Sequence, residues 1–191
     1  MATPPPKLLF FYGTLMHPHV LYSVLAGGST VKHPESYEHV LVTAKGYIRY
    51  SVKGKPYPGM VKSDGSVVGV VTDASWLATK AGISVDEVLK ALDQFEGDSY
   101  LRVDIQIGRS DGSLPSGYSR LADLARHPES GDSDSVWDKY ANGSQTVTAA
   151  AYEWAMGLDG LSLGGGDWNY DHFVEKHLPT YLGEESIDPR S

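Results

Sequence analysis

Hydrophobic positions along this chain recur in two rhythms, and the switches between them predict the order of its elements. Lys7 to Tyr12 is an aliphatic and aromatic run that ends at Gly13, the pattern of a buried strand entering a turn. Val20, Leu21, Val24 and Leu25 then repeat at helical spacing. Pro18 suits the first turn and Gly27-Gly28 the stop, so a short helix is expected. From Tyr37 to Val52 β-branched and aromatic residues dominate, broken by Gly46, which predicts strands, and Lys53-Gly54-Lys55-Pro56 reads as a turn. Ser66 to Thr72 is a further strand, introduced by an expected tight turn at Asp64-Gly65, with Gly69 marking a bulge or a close approach.

The clearest helix begins at Ser84, an N-cap residue with Glu87 three positions later as a capping box requires. Val85, Val88, Leu89, Leu92 and Phe95 form its apolar stripe, and Gly97 ends it. Tyr100 to Ile107 alternates, with Leu101, Val103, Ile105 and Ile107 on one face of a half-buried strand. Residues 108–144 are rich in Gly, Ser, Asp, Pro and Asn and read as a long polar insertion, with Leu121 to Ala125 as its plausible helical turn. Gln145 to Trp154 resumes a strand, Leu161 to Gly166 is a glycine-rich connection, and a last helix is expected over Tyr170 to His177. The tail after Leu182 is polar and expected to fray. With no internal repeat and no linker between compositionally distinct halves, residues 1–191 read as a single α+β domain, many short strands and two or three helices suggesting a small barrel.

Two features carry candidate chemistry. In the loop Tyr12-Gly13-Thr14-Leu15, Gly13 lets the backbone turn sharply and expose consecutive amide N–H groups, an arrangement that can hold an oxyanion. At the end of the capped helix, Asp93 and Glu96 lie three apart on one face and Asp98 follows, where the helix dipole disfavours negative charge and should raise a carboxylate's pKa. Each feature alone also reads as an ordinary turn or a solvated helix end.

Their order and spacing add to this. Tyr12-Gly13-Thr14-Leu15 after a first strand, then Leu92-Asp93-Gln94-Phe95-Glu96-Gly97, then Tyr100-Leu101-Arg102 opening another strand, resemble the gamma-glutamyl cyclotransferase-like family, in its avirulence-induced-gene-like branch. Tyr57-Pro58-Gly59 and Gly69 extend the likeness, which covers roughly residues 7–107 and continues more faintly over 146–182. The resemblance implies a small mixed β-barrel with flanking short helices, Glu96 as general acid/base, and a substrate pocket lined by Tyr12, Gly13, Thr14 and Leu15. It also implies the reaction: the α-amine of a gamma-glutamyl group attacks its own side-chain carbonyl, releasing 5-oxoproline and an amine, without a cofactor. Tyr57 and Tyr100 are added as candidates for the pocket wall and for substrate orientation, and whether Asp93 raises the pKa of Glu96 by like charge is left open. The insertion at 108–144 is longer than a compact member needs, which leaves the substrate open. Two alternatives stand: an enzyme using the same glutamate on another small substrate, or a non-catalytic protein binding a small metabolite.

Composition narrows the partners. Sixteen basic against 24 acidic side chains give a net charge of -8, with a pI near 5.3, which repels phosphate backbones and anionic lipid. A small-molecule partner is expected rather than nucleic acid or membrane, the protein acting as a monomer or homodimer. Without cysteine there is no disulfide, thiolate nucleophile or Cys-ligated metal, which suits a reducing, cytoplasmic setting. The apolar run at Leu8 to Phe11 is far too short for a leader or a membrane span. The closest histidine pairs, His17 with His19 and His172 with His177, lack the i, i+4 spacing of a helical zinc motif, so no metal is expected. Gly164-Gly165-Gly166 lacks the lysine of a phosphate-binding loop.

Overall fold

The structure, a computed structural model, describes residues 6–27, 39–123 and 136–183. Five strands close into a mixed barrel: β1 (Leu8–Phe11), β2 (Val40–Ser51), β3 (Pro58–Asp73), β4 (Tyr100–Arg109) and β5 (Thr146–Trp154), in the order β1-β3-β2-β4-β5. The neighbouring strands run antiparallel except β5 and β1, which close the barrel in parallel through the pairing of Leu9 with Ala150.

Period-two alternation sorts the apolar side chains onto the two faces of this sheet. Leu8, Phe10 and Tyr12 join Val42, Ala44, Ile105, Ile107, Val147 and Ala151 in the cluster that fills the barrel. Leu9, Phe11, Leu41, Val70 and Tyr152 face the other way. There they pack under α1 (Pro18–Leu25), α2 (Ala74–Ala81) and α3 (Val85–Glu96), which contribute Leu21, Leu77 and Leu92.

Several elements depart from the sequence pattern. Asp64-Gly65 is not a turn: β3 runs through it for 16 residues. The glycine is needed instead because a Cβ at position 65 would lie 2.5 Å from Ile48 Cγ1 and 2.9 Å from the Tyr47 carbonyl, close to where β2 shifts register across Gly46. The stretch predicted as strands over Tyr37 to Val52 is one bulged strand beginning at Val40, its first residues lying outside those described. Six helices flank the barrel among the described residues, not two or three. The additional ones are α2, α4 (Val136–Ala141) and the short α6 (Leu178–Tyr181), which follows α5 (Tyr170–Lys176). Only a short turn at Ser119–Leu121 stands where Leu121 to Ala125 was expected to be helical, and residues 124 and 125 lie outside the description. Leu101, assigned to the buried face of β4, is 62% exposed, while Ile105 and Ile107 are buried. The tail from 184 is likewise outside the described residues.

The polar stretch at 108–144 therefore contains an element that seals the barrel. Val136, Trp137 and Ala141 of α4 join the interior cluster. Lys139 and Tyr140 reach the carboxylate of Asp73, which is also the N-cap of α2, accepting from the Ser75 and Trp76 amides. Asp73 ends β3 opposite Leu8, the first residue of β1, so α4 covers that end of the barrel.

Burial alone would raise the pKa of Asp73, but the hydrogen bonds from Lys139, Tyr140, Trp76 and Ser75 hold it below its ordinary value. A carboxyl with a lowered folded pKa contributes stability above its unfolded pKa and loses it as pH falls through the folded value, here on the acid side of 3.8. Asp73→Ala removes a cap and the acceptor shared by Lys139 and Tyr140, of which the lysine is exposed, so it is expected to cost about 1–2 kcal/mol at pH 7. Denaturant melts should show this penalty shrinking below pH 4; a variant as stable as wild type at pH 7 would refute the assignment.

Candidate active site

The barrel end away from α4 opens into a narrow pocket of about 30 Å³. It is lined by Phe10, Phe11, Tyr12, Gly13, Thr14, Leu15, Tyr57, Pro58, Glu96, Tyr100 and Tyr152. All seven residues singled out from the sequence, Tyr12, Gly13, Thr14, Leu15, Tyr57, Glu96 and Tyr100, meet in this one space.

β1 delivers the first wall. After Phe11 the chain leaves the sheet, and Thr14–Met16 form one tight turn, all three residues buried. A Cβ on Gly13 would stand 3.0 Å from Pro58 Cγ, so glycine lets the loop pack on the start of β3. The opening amides of such a turn have no acceptor within it. Tyr12 points inward and its hydroxyl donates to the Tyr152 carbonyl. Burial first, then the charge of Glu96, keeps its pKa well above 10.

α3 delivers the carboxyl. Its capping box is complete: the Ser84 hydroxyl accepts from the Glu87 amide, and the Glu87 carboxylate accepts from the Ser84 amide. Val88, Leu89 and Leu92 are buried, whereas Phe95, expected in the same stripe, is 39% exposed. Gly97 ends the helix with φ +59 and turns the chain into β4, leaving Glu96 as the last helical residue. Glu96 is half-buried as a residue, but its carboxyl is closely surrounded by protein, and burial pushes its pKa from 4.5 to about 8.

Desolvation, rather than the helix dipole or a neighbouring acid, is thus what raises it. Asp93 is occupied elsewhere, accepting two bonds of 2.8 and 2.9 Å from Arg102 and one of 2.7 Å from the Tyr152 hydroxyl. This answers the question about Asp93: its charge is neutralised at the rim by Arg102.

The remaining wall is aromatic. The Tyr100 hydroxyl donates to the Pro58 carbonyl at 2.8 Å, and its ring meets Trp154 edge-on at 5.2 Å. Burial and then the charge of Glu96 raise the pKa of Tyr100. Tyr181 of α6, raised to about 12 by burial, Tyr57 and Glu96, stands near both of those residues. Phe10, Phe11, Tyr152 and Tyr181 were not singled out from the sequence, and in one chain they read only as core or helix-end residues. Arg49 was missed as well. It is 3% exposed, and its guanidinium donates to the carbonyl of Tyr12. A buried arginine on a strand gives no periodicity signal that separates it from a solvated one. The histidine pairs pack as aromatic rings 5.2 and 5.5 Å apart, and among the described residues no three His, Asp or Glu side chains are grouped to hold a metal.

An acid whose folded pKa exceeds its unfolded one favours folding fully below the unfolded value, 4.5, and loses that advantage as pH rises through the folded value, about 8. Wild type should therefore lose stability relative to Glu96→Gln between pH 4.5 and 8. Paired thermal melts at pH 5 and pH 8.5 test this; a difference in Tm that does not change with pH would show that the carboxyl is not desolvated.

The family described as gamma-glutamyl cyclotransferase, AIG2-like matches residues 9–170. Among relatives from Arabidopsis thaliana, AIG2-like protein B is 31% identical over 175 residues, covering 91% of this chain and 73% of its own length. Protein AIG2 C is 33% identical over 113 residues, covering 59% of this chain and 58% of its own. The chain thus spans little more than half the length of some of these relatives, 58% of protein AIG2 C and 52% of AIG2-like protein C. A solution structure of an Arabidopsis thaliana protein, 22% identical, superposes with a TM-score of 0.50 over 96% of this chain and 81% of that one, a likeness of fold. No helix among the described residues is long and apolar enough to cross a membrane.

Proposed function

The chain belongs to the gamma-glutamyl cyclotransferase, AIG2-like family, and we propose that it cleaves a gamma-glutamyl amide by intramolecular aminolysis, with Glu96 as general base and then general acid. The observation that carries this reading is one carboxyl that lines the same pocket as the loop Tyr12 to Leu15, with its pKa raised by burial to about 8. Such a group exchanges a proton readily in both directions near neutral pH.

The substrate's α-ammonium cannot attack until it loses a proton, and the Glu96 carboxylate accepts it. The freed amine adds to the γ-carbonyl carbon, forming the C–N bond of a five-membered ring and placing negative charge on the carbonyl oxygen. The amides of Gly13, Thr14 and Leu15 are the donors for that charge. As the intermediate collapses, the original amide C–N bond breaks and Glu96 returns its proton to the departing amine. The products are 5-oxoproline and a free amine, with no net change in the enzyme. Because nucleophile and electrophile belong to one molecule, holding the substrate in its bent form supplies much of the rate. The tyrosine-rich wall of Tyr12, Tyr57 and Tyr100 does this holding.

The test is to incubate the protein with gamma-glutamyl amino acids, gamma-glutamyl amines and glutathione and to detect 5-oxoproline by mass spectrometry. Wild type should yield it from at least one member of the panel and Glu96→Gln should not. Equal rates for the two proteins would overturn the role of Glu96. No product from any of these compounds would leave the same cavity and carboxyl to a different small substrate or to binding alone.

A further inference from the structure

The loop that carries the proposed oxyanion donors is held from behind by a cation that the reaction as written does not use. The Arg49 side chain is 1% exposed, and four of its N–H bonds are directed. Nη1 donates to the carbonyl of Tyr12 at 2.7 Å and to that of Val68 at 3.0 Å. Nε and Nη2 donate to the two oxygens of Asp167 at 2.8 and 2.7 Å, a bidentate pair of fixed geometry. The guanidinium also lies 4.4 Å from the centre of the Tyr118 ring. A buried charge is a costly way to fill space, and a strand can be packed without one.

The consequence lies in the peptide between Tyr12 and Gly13. In a trans peptide the C=O and the following N–H point in opposite directions. Drawing the Tyr12 carbonyl toward Arg49 therefore turns the Gly13 N–H to the other side of the loop. Gly13 lines the cavity, while Arg49 lies outside its lining.

We propose that Arg49, held by Asp167, is a positioning residue that fixes the Tyr12–Gly13 peptide so that the Gly13 N–H is presented to the cavity as an anion donor. This rests on the reading of the site given above, and it predicts a defect in the transition state rather than in substrate binding. Arg49→Lys keeps the charge but loses the planar fork, and should lower kcat by about 10- to 100-fold, approaching the loss of a single oxyanion donor. KM should stay within about threefold, and the midpoint of the pH profile, set by Glu96, should not move. Asp167→Asn, at a residue whose side chain is 41% exposed, should fold normally and give a smaller loss of the same kind.

A second readout needs no turnover. In protein labelled with ¹⁵N-glycine, the Gly13 amide resonance should shift when 5-oxoproline is added to wild type, and that response should be lost in Arg49→Lys and weakened in Asp167→Asn. If both variants keep wild-type kcat, if KM alone changes, or if the Gly13 response survives in them, the proposal is wrong. Should Arg49→Lys fail to fold, Asp167→Asn decides alone by the same measures. Should wild type turn over none of the gamma-glutamyl compounds, the proposed reaction falls, and the Gly13 response still decides the role of Arg49.

Discussion

Glu96→Gln is expected to lower kcat by about 10²- to 10⁴-fold, the range supplied by a positioned acid/base, with little change in KM. The substitution keeps size and hydrogen-bonding capacity, so the cavity retains its shape while the one group able to accept and return the proton is gone. The pH dependence is a second signature. kcat/KM reports the free enzyme, so with a carboxyl at about 8 it should rise with pH, about tenfold per unit below that value, and level off above it. A carboxylate left at the ordinary value would give a profile already flat at pH 6. Steady-state rates of 5-oxoproline release between pH 5.5 and 9.5 distinguish the two. A flat wild-type profile, or a glutamine variant within about threefold of wild type, would remove Glu96 from the mechanism.

Gly69→Ala is expected to be the most damaging glycine-to-alanine change among the described residues. A Cβ there would lie 2.3 Å from the Phe11 carbonyl oxygen and 2.6 Å from the Phe10 ring. The ring has some freedom, but the oxygen has little, because β1 is held on one side by β3 and on the other by β5. Overpacking of this kind costs about 3 kcal/mol, which in a chain of this size corresponds to a fall in Tm of about 6–12 °C. The displaced residue directly precedes Tyr12, so the variant should also lose activity at temperatures where it remains folded. Circular dichroism melts give the first quantity and rates at 15 °C the second; a Tm within about 2 °C of wild type would show that β1 yields.

How much of this was legible in the residues depended on how local each signal is. α3 was readable to its last residue because cap, stripe and terminating glycine lie within one stretch, and Gly69 announced a close approach by occurring inside a β-branched run. Asp64-Gly65 misled because the same dipeptide serves a hairpin turn or a strand crossing that admits no side chain, and only Ile48 and Tyr47 on the partner strand decide between them. α4 was hidden by its polar surroundings, its apolar residues being justified by a barrel end that the local pattern does not show. The loop and Glu96 were joined by resemblance, whereas Tyr152 in the cavity wall, and Tyr181 and Arg49 beside it, come near through distant pairings, Arg49 with Asp167 being 118 residues apart. The cause of the shifted pKa was also out of reach, since a helix end is visible in sequence and desolvation is not.

The seal formed by α4 has a kinetic consequence. Val136, Trp137 and Ala141 of α4 pack into the interior cluster at one end of the barrel, and the pocket that holds Glu96 lies at the other. Product held in that pocket occupies the place of the substrate, so accumulated 5-oxoproline should slow turnover as a competitive inhibitor.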